Sequence, residues 1–485
     1  MNFGLESYVP YVLYLAAIVA FLLSVFWKPI AGIFYLLPLI PLQTIRYRTN
    51  DLPLGSSVVG IILLGVALGL LRKRQPILPK SGWTSLLVIY GLFTYVSLCL
   101  GSTYLRQPFP LMGDRRFGVW QEYMVMPALL LLTLAAAPTK QQMRAIVVIL
   151  CLGTLALDKS FWSTVSDRDY TSYSEELHVE GGSMGYAGTN GLAAFAAQSA
   201  IFVFALAGFE RHRWQRWAYY GLAVWSSFCL MYSLSRAGYV AFIAGCFVIG
   251  VLKHRKILIL LLVFLLTWET LVPPAVRQRV EMTYDPQTRS IDVSSATRLS
   301  LWSNAMEVFD RNPLLGAGFN TYEYMRLNKR TDGGVGYYAD THNYFVKVLV
   351  ETGVVGFVLL LWLLARMLLV SYHLFRKAQD PFFASLGLGL IGWVVCAIAA
   401  NLFGDRWTFL QVNGYMWVLA ALVGRAQQLE KDEACPSPAI APAELLAPAA
   451  PCSPETQTIL STRCGPSESF GETAFVNDGK NLCRL

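Results

Sequence analysis

The chain has 485 residues, of which 55% are hydrophobic and only 14% are charged, and its mean hydropathy is +0.46. This composition excludes a soluble globular protein and is typical of a polytopic membrane protein. The net charge of +8 comes from short basic clusters between apolar runs, which is the pattern of cytoplasmic loops and not of a nucleic-acid-binding surface. We therefore predict an all-α integral membrane protein that contacts membrane lipids and binds no nucleic acid.

Apolar runs that can cross a bilayer core of about 30 Å predict about 12 to 13 transmembrane helices, and the lower number applies if the short second run is re-entrant. The first run follows no basic segment and precedes no small-residue cleavage site, so we expect it to remain as a span. The predicted spans are 8–27, 30–44, 56–71, 83–101, 119–137, 144–157, 187–207, 217–233, 237–252, 257–272, 343–371, 383–403 and 407–424.

Short basic connections occur on alternate loops, which indicates that these loops face the cytoplasm. The opposite, outward side then carries the N-terminus and the long connection 273–342. A long, mostly polar connection between apolar spans is typical of a working site at the membrane surface. The basic connections are Arg72–Arg74, Lys140 with Arg144, Arg211–Arg216, Lys253–Lys256 and Arg376–Lys377.

The end of the chain differs in composition from the rest. After residue 425 it becomes rich in Pro, Ala and Ser, and such a segment cannot bury enough apolar surface to fold alone. We predict a polytopic domain over 1–425 and a disordered cytoplasmic tail over 426–485. The nine cysteines show no spacing typical of a zinc site or a disulfide framework.

A carboxylate-rich run precedes the predicted span 187–207 and contains Asp158, Asp167, Asp169, Glu175 and Glu176. We interpret it as a solvated acidic loop rather than a site for a divalent metal. Neither a P-loop nor a strand-linked GxGxxG motif occurs. The sequence therefore predicts no metal, no nucleotide and no cofactor.

Two outward arginines and one histidine are candidates for chemistry. Arg236 lies in a tight turn between two spans, where it either snorkels to the surface or meets the phosphate head group of a lipid. Arg298 belongs to an amphipathic pattern with Trp302 in the long connection, which by itself favours a solvated face of a loop helix. His342 is predicted to open a helix capped by Asp340 or Thr341, and a neutral histidine there can act as a base.

One turn further along, Lys347 and Glu351 are spaced as an i,i+4 pair, and an intrahelical ion pair is the interpretation that we prefer. Gly353 and Gly356 are expected to be close-packing positions for a neighbouring helix.

Four segments together resemble the O-antigen ligase and polymerase superfamily, which consists of bacterial membrane glycosyltransferases of the GT-C type. The resemblance is clearest from about residue 180 to 360. The segments are TNGLAAFAA within Gly188–Ala197, SLSRAG at Ser233–Gly238, RLSLWSNAMEVFDRNPLLGAGFNTY at Arg298–Tyr322, and HNYFVKVLVETGVVG at His342–Gly356.

The resemblance implies a GT-C-like fold in the bacterial inner membrane with an active site facing the periplasm. It implies metal-independent, inverting transfer of an undecaprenyl-diphosphate-linked glycan to a hydroxyl of lipid A-core or another glycan acceptor. Carried over by motif, His342 is the catalytic base and Arg236 and Arg298 bind the diphosphate. Trp302, Asn343 and Glu351 are expected to support them.

Two alternatives stay open. A polymerase of the same superfamily, which joins lipid-linked repeats of O-antigen or exopolysaccharide, is not separated from a ligase by these motifs. A membrane solute transporter is less favoured, because the spans contain few charges and no evident inverted pair of broken helices.

Overall fold

The structure is a computed structural model that describes residues 5–137, 139–179, 182–285, 290–291, 293–326 and 341–434. Most of these residues are helical. The α-helices are α1 (Val9–Phe26), α2 (Ile30–Leu39), α3 (Gln43–Tyr47), α4 (Val58–Arg72), α5 (Thr84–Leu105), α6 (Arg115–Ala136), α7 (Lys140–Val165), α8 (Glu175–Val179), α9 (Gly188–Ala207), α10 (Arg213–Tyr232), α11 (Arg236–Leu252), α12 (Arg255–Leu271), α13 (Pro274–Glu281), α14 (Val293–Phe309), α15 (Tyr322–Arg326), α16 (Tyr344–Lys377), α17 (Pro381–Asn401) and α18 (Leu410–Ala434).

Shorter elements complete the described fold. Strands β1 (Tyr284–Asp285) and β2 (Ser290–Ile291) form an antiparallel pair in which Tyr284 is opposite Ile291. Short 3-10 segments cover Leu5–Tyr8, Gly55–Ser57 and Gly182–Ala187, and the last of these is interrupted at Gly185.

A helix occupies the position of every predicted span, so the predicted all-α polytopic membrane fold is confirmed. Within the described residues, eight helices are long and apolar enough to cross a membrane, or nine if the bent pair α12 and α13 is one span. Helices α2 and α11 are apolar but shorter. The total of 12 to 13 spans therefore stays a prediction.

Helices α9 and α17 form the centre of the bundle. Their most apolar windows are 89% and 83% buried, whereas that of α1 is only 17% buried. Small residues explain the central position, because they let neighbouring helix backbones approach closely. At Gly245 of α11, for example, a Cβ atom would lie only 2.5 Å from Sγ of Cys396 in α17.

Helix α16 is broken at Gly353, which has a φ of +65°. The loop 312–319, with the sequence NPLLGAGF, lies against the break and satisfies its backbone groups. The amide of Val354 donates to the carbonyl of Pro313 at 2.9 Å, and the amide of Gly318 donates to the carbonyl of Glu351 at 2.7 Å. Backbone groups freed inside a span need such partners, since lipid offers none.

This break corrects the prediction for Gly353, whose close neighbour is a loop and not a helix. A Cβ atom there would lie 2.3 Å from the carbonyl oxygen of Leu314. Gly356 does face another helix, because a Cβ atom at this position would lie 2.8 Å from a ring carbon of Phe93 in α5.

Two boundaries differ from the predicted ones. Helix α7 continues to Val165, so Asp158 lies inside a helix and not in the acidic loop. Helix α18 continues to Ala434 and belongs to a compact unit of residues Met1–Cys435. The predicted domain boundary at 425 and the disordered tail stay predictions, since residues 435–485 lie outside the described residues.

Candidate active site

A large cavity of about 990 Å³ lies between α10, α11, α12 and α13. Three arginines from different elements line it, namely Arg236, Arg279 and Arg298. We call it the arginine cavity. Most of its remaining wall is apolar and comes from α10, α11 and α12, for example Phe228, Phe242, Phe264 and Trp268. The cavity thus combines a cationic region with a long hydrophobic one.

Arg236 is the first residue of α11 and follows a tight turn in which Leu234 adopts a φ of +56°. Two hydrogen bonds connect this turn to other parts of the chain. The hydroxyl of Ser235 donates to Oδ1 of Asn190 at 2.6 Å, and Nη1 of Arg236 donates to the hydroxyl of Thr283 at 2.9 Å. Arg236 is therefore held at the cavity and does not only snorkel at the end of a span.

His178 also lines the cavity and holds the same turn from α8. Its Nδ1 donates to the carbonyl oxygen of Ser233 at 3.0 Å. Burial lowers the pKa of His178, and the positive charges of Arg279 and Arg236 act in the same direction. His178 was missed in the sequence because an isolated histidine in an acidic segment gives no spacing signal.

Arg279 is the second residue that the sequence did not single out. It lies on α13, which bends by 107° from α12, and its side chain is only 12% exposed. Its guanidinium lies 3.6 Å from Glu175 and over the ring of Tyr173, 4.6 Å from the centroid. Arg277, two residues earlier, is half exposed and pairs with Glu281 at 2.7 Å.

Arg298 and Trp302 lie one turn apart on α14 and therefore share a face of this helix. Arg298 lines the arginine cavity together with Arg236. The indole Nε1 of Trp302 donates to the carbonyl oxygen of Thr341 at 2.9 Å, next to His342. Helix α14 thus connects the cavity to the segment that precedes α16.

His342 does not line the arginine cavity. It lies just before α16, has a φ of +50° and is half-buried. The predicted cap is wrong, because Asn343 is the N-cap and its Oδ1 accepts from the amides of Phe345 at 3.0 Å and Val346 at 3.2 Å. His342 therefore precedes the cap, and Asp340 lies outside the described residues.

The charge of Lys347 acts on Glu351, as the preferred pairing predicts, but the short contact of Lys347 is with another element. Nζ of Lys347 lies 2.5 Å from Oδ2 of Asp405, in the turn between α17 and α18. The buried Glu351 carboxylate accepts from the backbone amides of Asn320 at 3.0 Å and Tyr322 at 3.3 Å. Glu351 thus anchors the end of the loop that fills the break in α16. Its supporting role is therefore structural.

Comparison with known proteins supports the resemblance seen in the sequence. Residues 221–361 match the family model of the O-antigen ligase domain. This confirms the resemblance to the O-antigen ligase and polymerase superfamily. A search of curated proteins finds no match to the chain.

The matched region, residues 221–361, contains Arg236, Arg279, Arg298, Trp302 and the segment His342–Glu351. This match supports, in broad terms, a multi-pass membrane protein with a ligase-type or polymerase-type function on lipid-linked glycans. The matched region also supplies most of the residues that line the arginine cavity, whereas His178, Asn190 and Phe403 lie outside it.

The carboxylates of the acidic segment upstream of the matched region are dispersed in the structure. Asp158 is fully buried in α7 and accepts a hydrogen bond from Ser226 of α10 at 2.5 Å. Asp169 accepts from the amide and the hydroxyl of Thr171 at 2.9 and 2.8 Å. Over the described parts of the chain, no group of three or more His, Cys, Asp and Glu residues is arranged to hold a metal ion.

Proposed function

We propose that the protein is an O-antigen ligase-like enzyme that transfers an undecaprenyl-diphosphate-linked glycan to a hydroxyl of lipid A-core or a similar acceptor at the periplasmic face of the inner membrane. The observation that carries this proposal is the arginine cavity. Its three guanidiniums suit a diphosphate, and its apolar walls suit the polyprenyl chain attached to that diphosphate.

The chemistry requires stabilisation of the leaving group. When the bond between the anomeric carbon and the diphosphate breaks, negative charge develops on the phosphate oxygens. Fixed guanidiniums stabilise this charge through bidentate hydrogen bonds. In the proposal, Arg236 and Arg298 bind the diphosphate and Arg279 adds a third charge, so that no divalent cation is required.

The acceptor hydroxyl needs a base that removes its proton as it attacks the anomeric carbon from the opposite side, with inversion. We assign this role to His342. Three contacts hold its segment: the bond from Trp302 to Thr341, the cap by Asn343, and the amide of Tyr344, which donates to the carbonyl of Gly404 at 3.1 Å. Catalytic contacts often become short only when substrates are bound.

The proposal is tested with purified protein, an undecaprenyl-diphosphate-linked glycan and lipid A-core, with the products identified by mass spectrometry. We expect transfer to the core and release of undecaprenyl diphosphate. Products that only lengthen the lipid-linked glycan would identify a polymerase instead. Movement of the donor across vesicle membranes without any new glycosidic bond would identify a transporter.

Variants test the assigned roles in the same assay. We expect His342→Ala and His342→Gln to abolish transfer while the protein remains in the membrane at its normal level. Arg236→Lys and Arg298→Lys keep the charge but lose the bidentate geometry, so both are expected to be seriously impaired. Their double replacement should cost less than the sum of the single losses. Near-normal transfer by both His342 variants would overturn the base assignment.

Metal independence is tested separately. We expect transfer to persist in excess EDTA and in the double variant Asp167→Asn with Asp169→Asn, because the arginines supply the positive charge. Loss of activity that magnesium or manganese restores would overturn this part of the proposal.

A further inference from the structure

A second cavity, of about 160 Å³, lies between α5, α6 and the first turns of α16. It shares no lining residue with the arginine cavity. We call it the aromatic cavity. Its volume is many times the roughly 10–15 Å³ that one water molecule requires, so it has room for a small ligand.

Aromatic side chains form much of its wall. Tyr123 and Phe319 are stacked with their ring centroids 5.4 Å apart, and Tyr186 meets Phe409 edge to face at 5.3 Å. Tyr186 is 60% exposed, so one side of the cavity is accessible. Aromatic rings placed in this way offer flat apolar surfaces to the C–H faces of a ligand ring.

Asn320 supplies an unused hydrogen-bond donor at this cavity. It is only 6% exposed, lines the cavity and has a φ of +52°. Its backbone amide is held by Glu351, but its side-chain Nδ2 has no hydrogen-bond partner. Leaving a buried amide donor unpaired is costly. The unpaired donor therefore indicates a ligand that accepts from Asn320.

The other polar groups of the cavity indicate the class of that ligand. Glu122, Glu351 and Lys347 also line it, and Lys347 already pairs with Asp405. The exposed carboxylate of Glu122 disfavours an anion such as a phosphate. A polyhydroxylated ring fits better, because each hydroxyl both donates and accepts hydrogen bonds while the ring carbons contact the aromatic walls.

The aromatic cavity and the arginine cavity border one connecting segment. In the turn between α17 and α18, Phe403 lines the arginine cavity, whereas Thr408 and Phe409 line the aromatic cavity. Between them, the carbonyl of Gly404 accepts from the amide of Tyr344 at 3.1 Å. The segment that carries His342 is therefore attached to the stretch of chain that lies between the two cavities.

We infer that the aromatic cavity binds a sugar ring of the acceptor glycan, with Nδ2 of Asn320 donating a hydrogen bond to one of its hydroxyls. The acceptor assignment rests on the proposed function, but sugar binding itself does not. The donor then occupies the arginine cavity and the acceptor occupies the aromatic cavity. The turn between α17 and α18 borders both cavities, and its Gly404 carbonyl accepts from Tyr344 in the segment of His342.

The experiment is saturation-transfer-difference NMR on the purified full-length protein in detergent, without any donor. The probes are the methyl glycosides of glucose, galactose, mannose and N-acetylglucosamine. We expect the wild type to give a signal with at least one probe and Asn320→Gly to reduce it at least fivefold. Glycine tolerates the left-handed backbone at this position and removes only the amide side chain.

A matched control and a second variant complete the design. Asn312→Ala changes an exposed amide in the same loop and should leave the signal unchanged. Tyr186→Ala removes an exposed wall of the cavity and should weaken binding even if Asn320→Gly does not fold. Absence of any signal from the wild type, or equal signals from the wild type and Tyr186→Ala, would overturn the inference. Because no donor is present, these outcomes are independent of whether glycan transfer occurs.

Discussion

The indole of Trp302 donates a hydrogen bond of 2.9 Å to the carbonyl oxygen of Thr341, the residue before His342. Trp302 lies one turn after Arg298 on α14, so one helix carries a cavity-lining arginine and also anchors the segment of the proposed base. In the proposed mechanism, this arrangement couples the position of the diphosphate to that of the histidine ring.

We predict that Trp302→Phe lowers kcat for glycan transfer about 2- to 10-fold and leaves the donor KM nearly unchanged. Phenylalanine keeps an aromatic ring but loses the N–H, and a neutral hydrogen bond contributes about 0.5–1.5 kcal/mol. Steady-state kinetics with varied donor give both constants. Trp214→Phe, at a tryptophan that is 72% exposed on α10, is the control. An unchanged kcat in Trp302→Phe would contradict the coupling.

A second prediction compares the two arginines of α13. Arg279→Lys should lower kcat/KM for the donor about 10-fold or more, because hydrogen bonds between charged groups are worth about 1.5–3 kcal/mol and lysine lacks the bidentate geometry. Arg277→Lys should stay within about twofold, because Arg277 is half exposed and its ion pair with Glu281 contributes little. Equal effects of the two substitutions would show that Arg279 does not contact the donor.

The break in α16 gives a prediction about stability. Gly353→Ala should destabilise the protein by about 1–3 kcal/mol or more, because the new Cβ would overlap the carbonyl of Leu314 and the φ of +65° is unfavourable for alanine. Gly60→Ala on α4 is the matched control, since no atom lies within 4 Å of its added Cβ. Alanine in a helix interior should stabilise by about 0.5–1 kcal/mol. Thermal unfolding in detergent measures both, and a normal midpoint for Gly353→Ala would contradict the described break.

The sequence predicted the helices well, because an apolar run long enough to cross a bilayer has few other stable conformations. It also identified Arg236 and Arg298, which the structure brings to one cavity. These predictions depended on local composition and on motifs, which are fully visible in the chain.

The remaining features depend on contacts between residues far apart in the chain. Besides its interaction with the nearby Glu351, Lys347 makes a short contact with Asp405, 58 positions away. Gly353 indicated a special backbone position, but nothing local specified that the loop 312–319 would fill the break. Arg279 reaches the cavity only because α13 turns sharply away from α12. Spacing along one helix cannot reveal such partners.

A final prediction concerns His178, whose pKa is lowered in the folded protein by burial and by the nearby arginines. Its unfolded pKa is about 6.5. Because the unfolded state then binds the proton more readily, the free energy of unfolding rises with pH in this range. The contribution of His178 to the free energy of unfolding is fully present above about pH 6.5, and it is lost as the pH falls below that value.

We therefore expect the thermal midpoint of the wild type to fall more steeply between pH 7.5 and pH 5 than that of His178→Gln. The control variant His212→Gln, at an exposed histidine, should behave like the wild type. Parallel curves for the wild type and His178→Gln would show that protonation of His178 does not destabilise the turn at Ser233–Arg236.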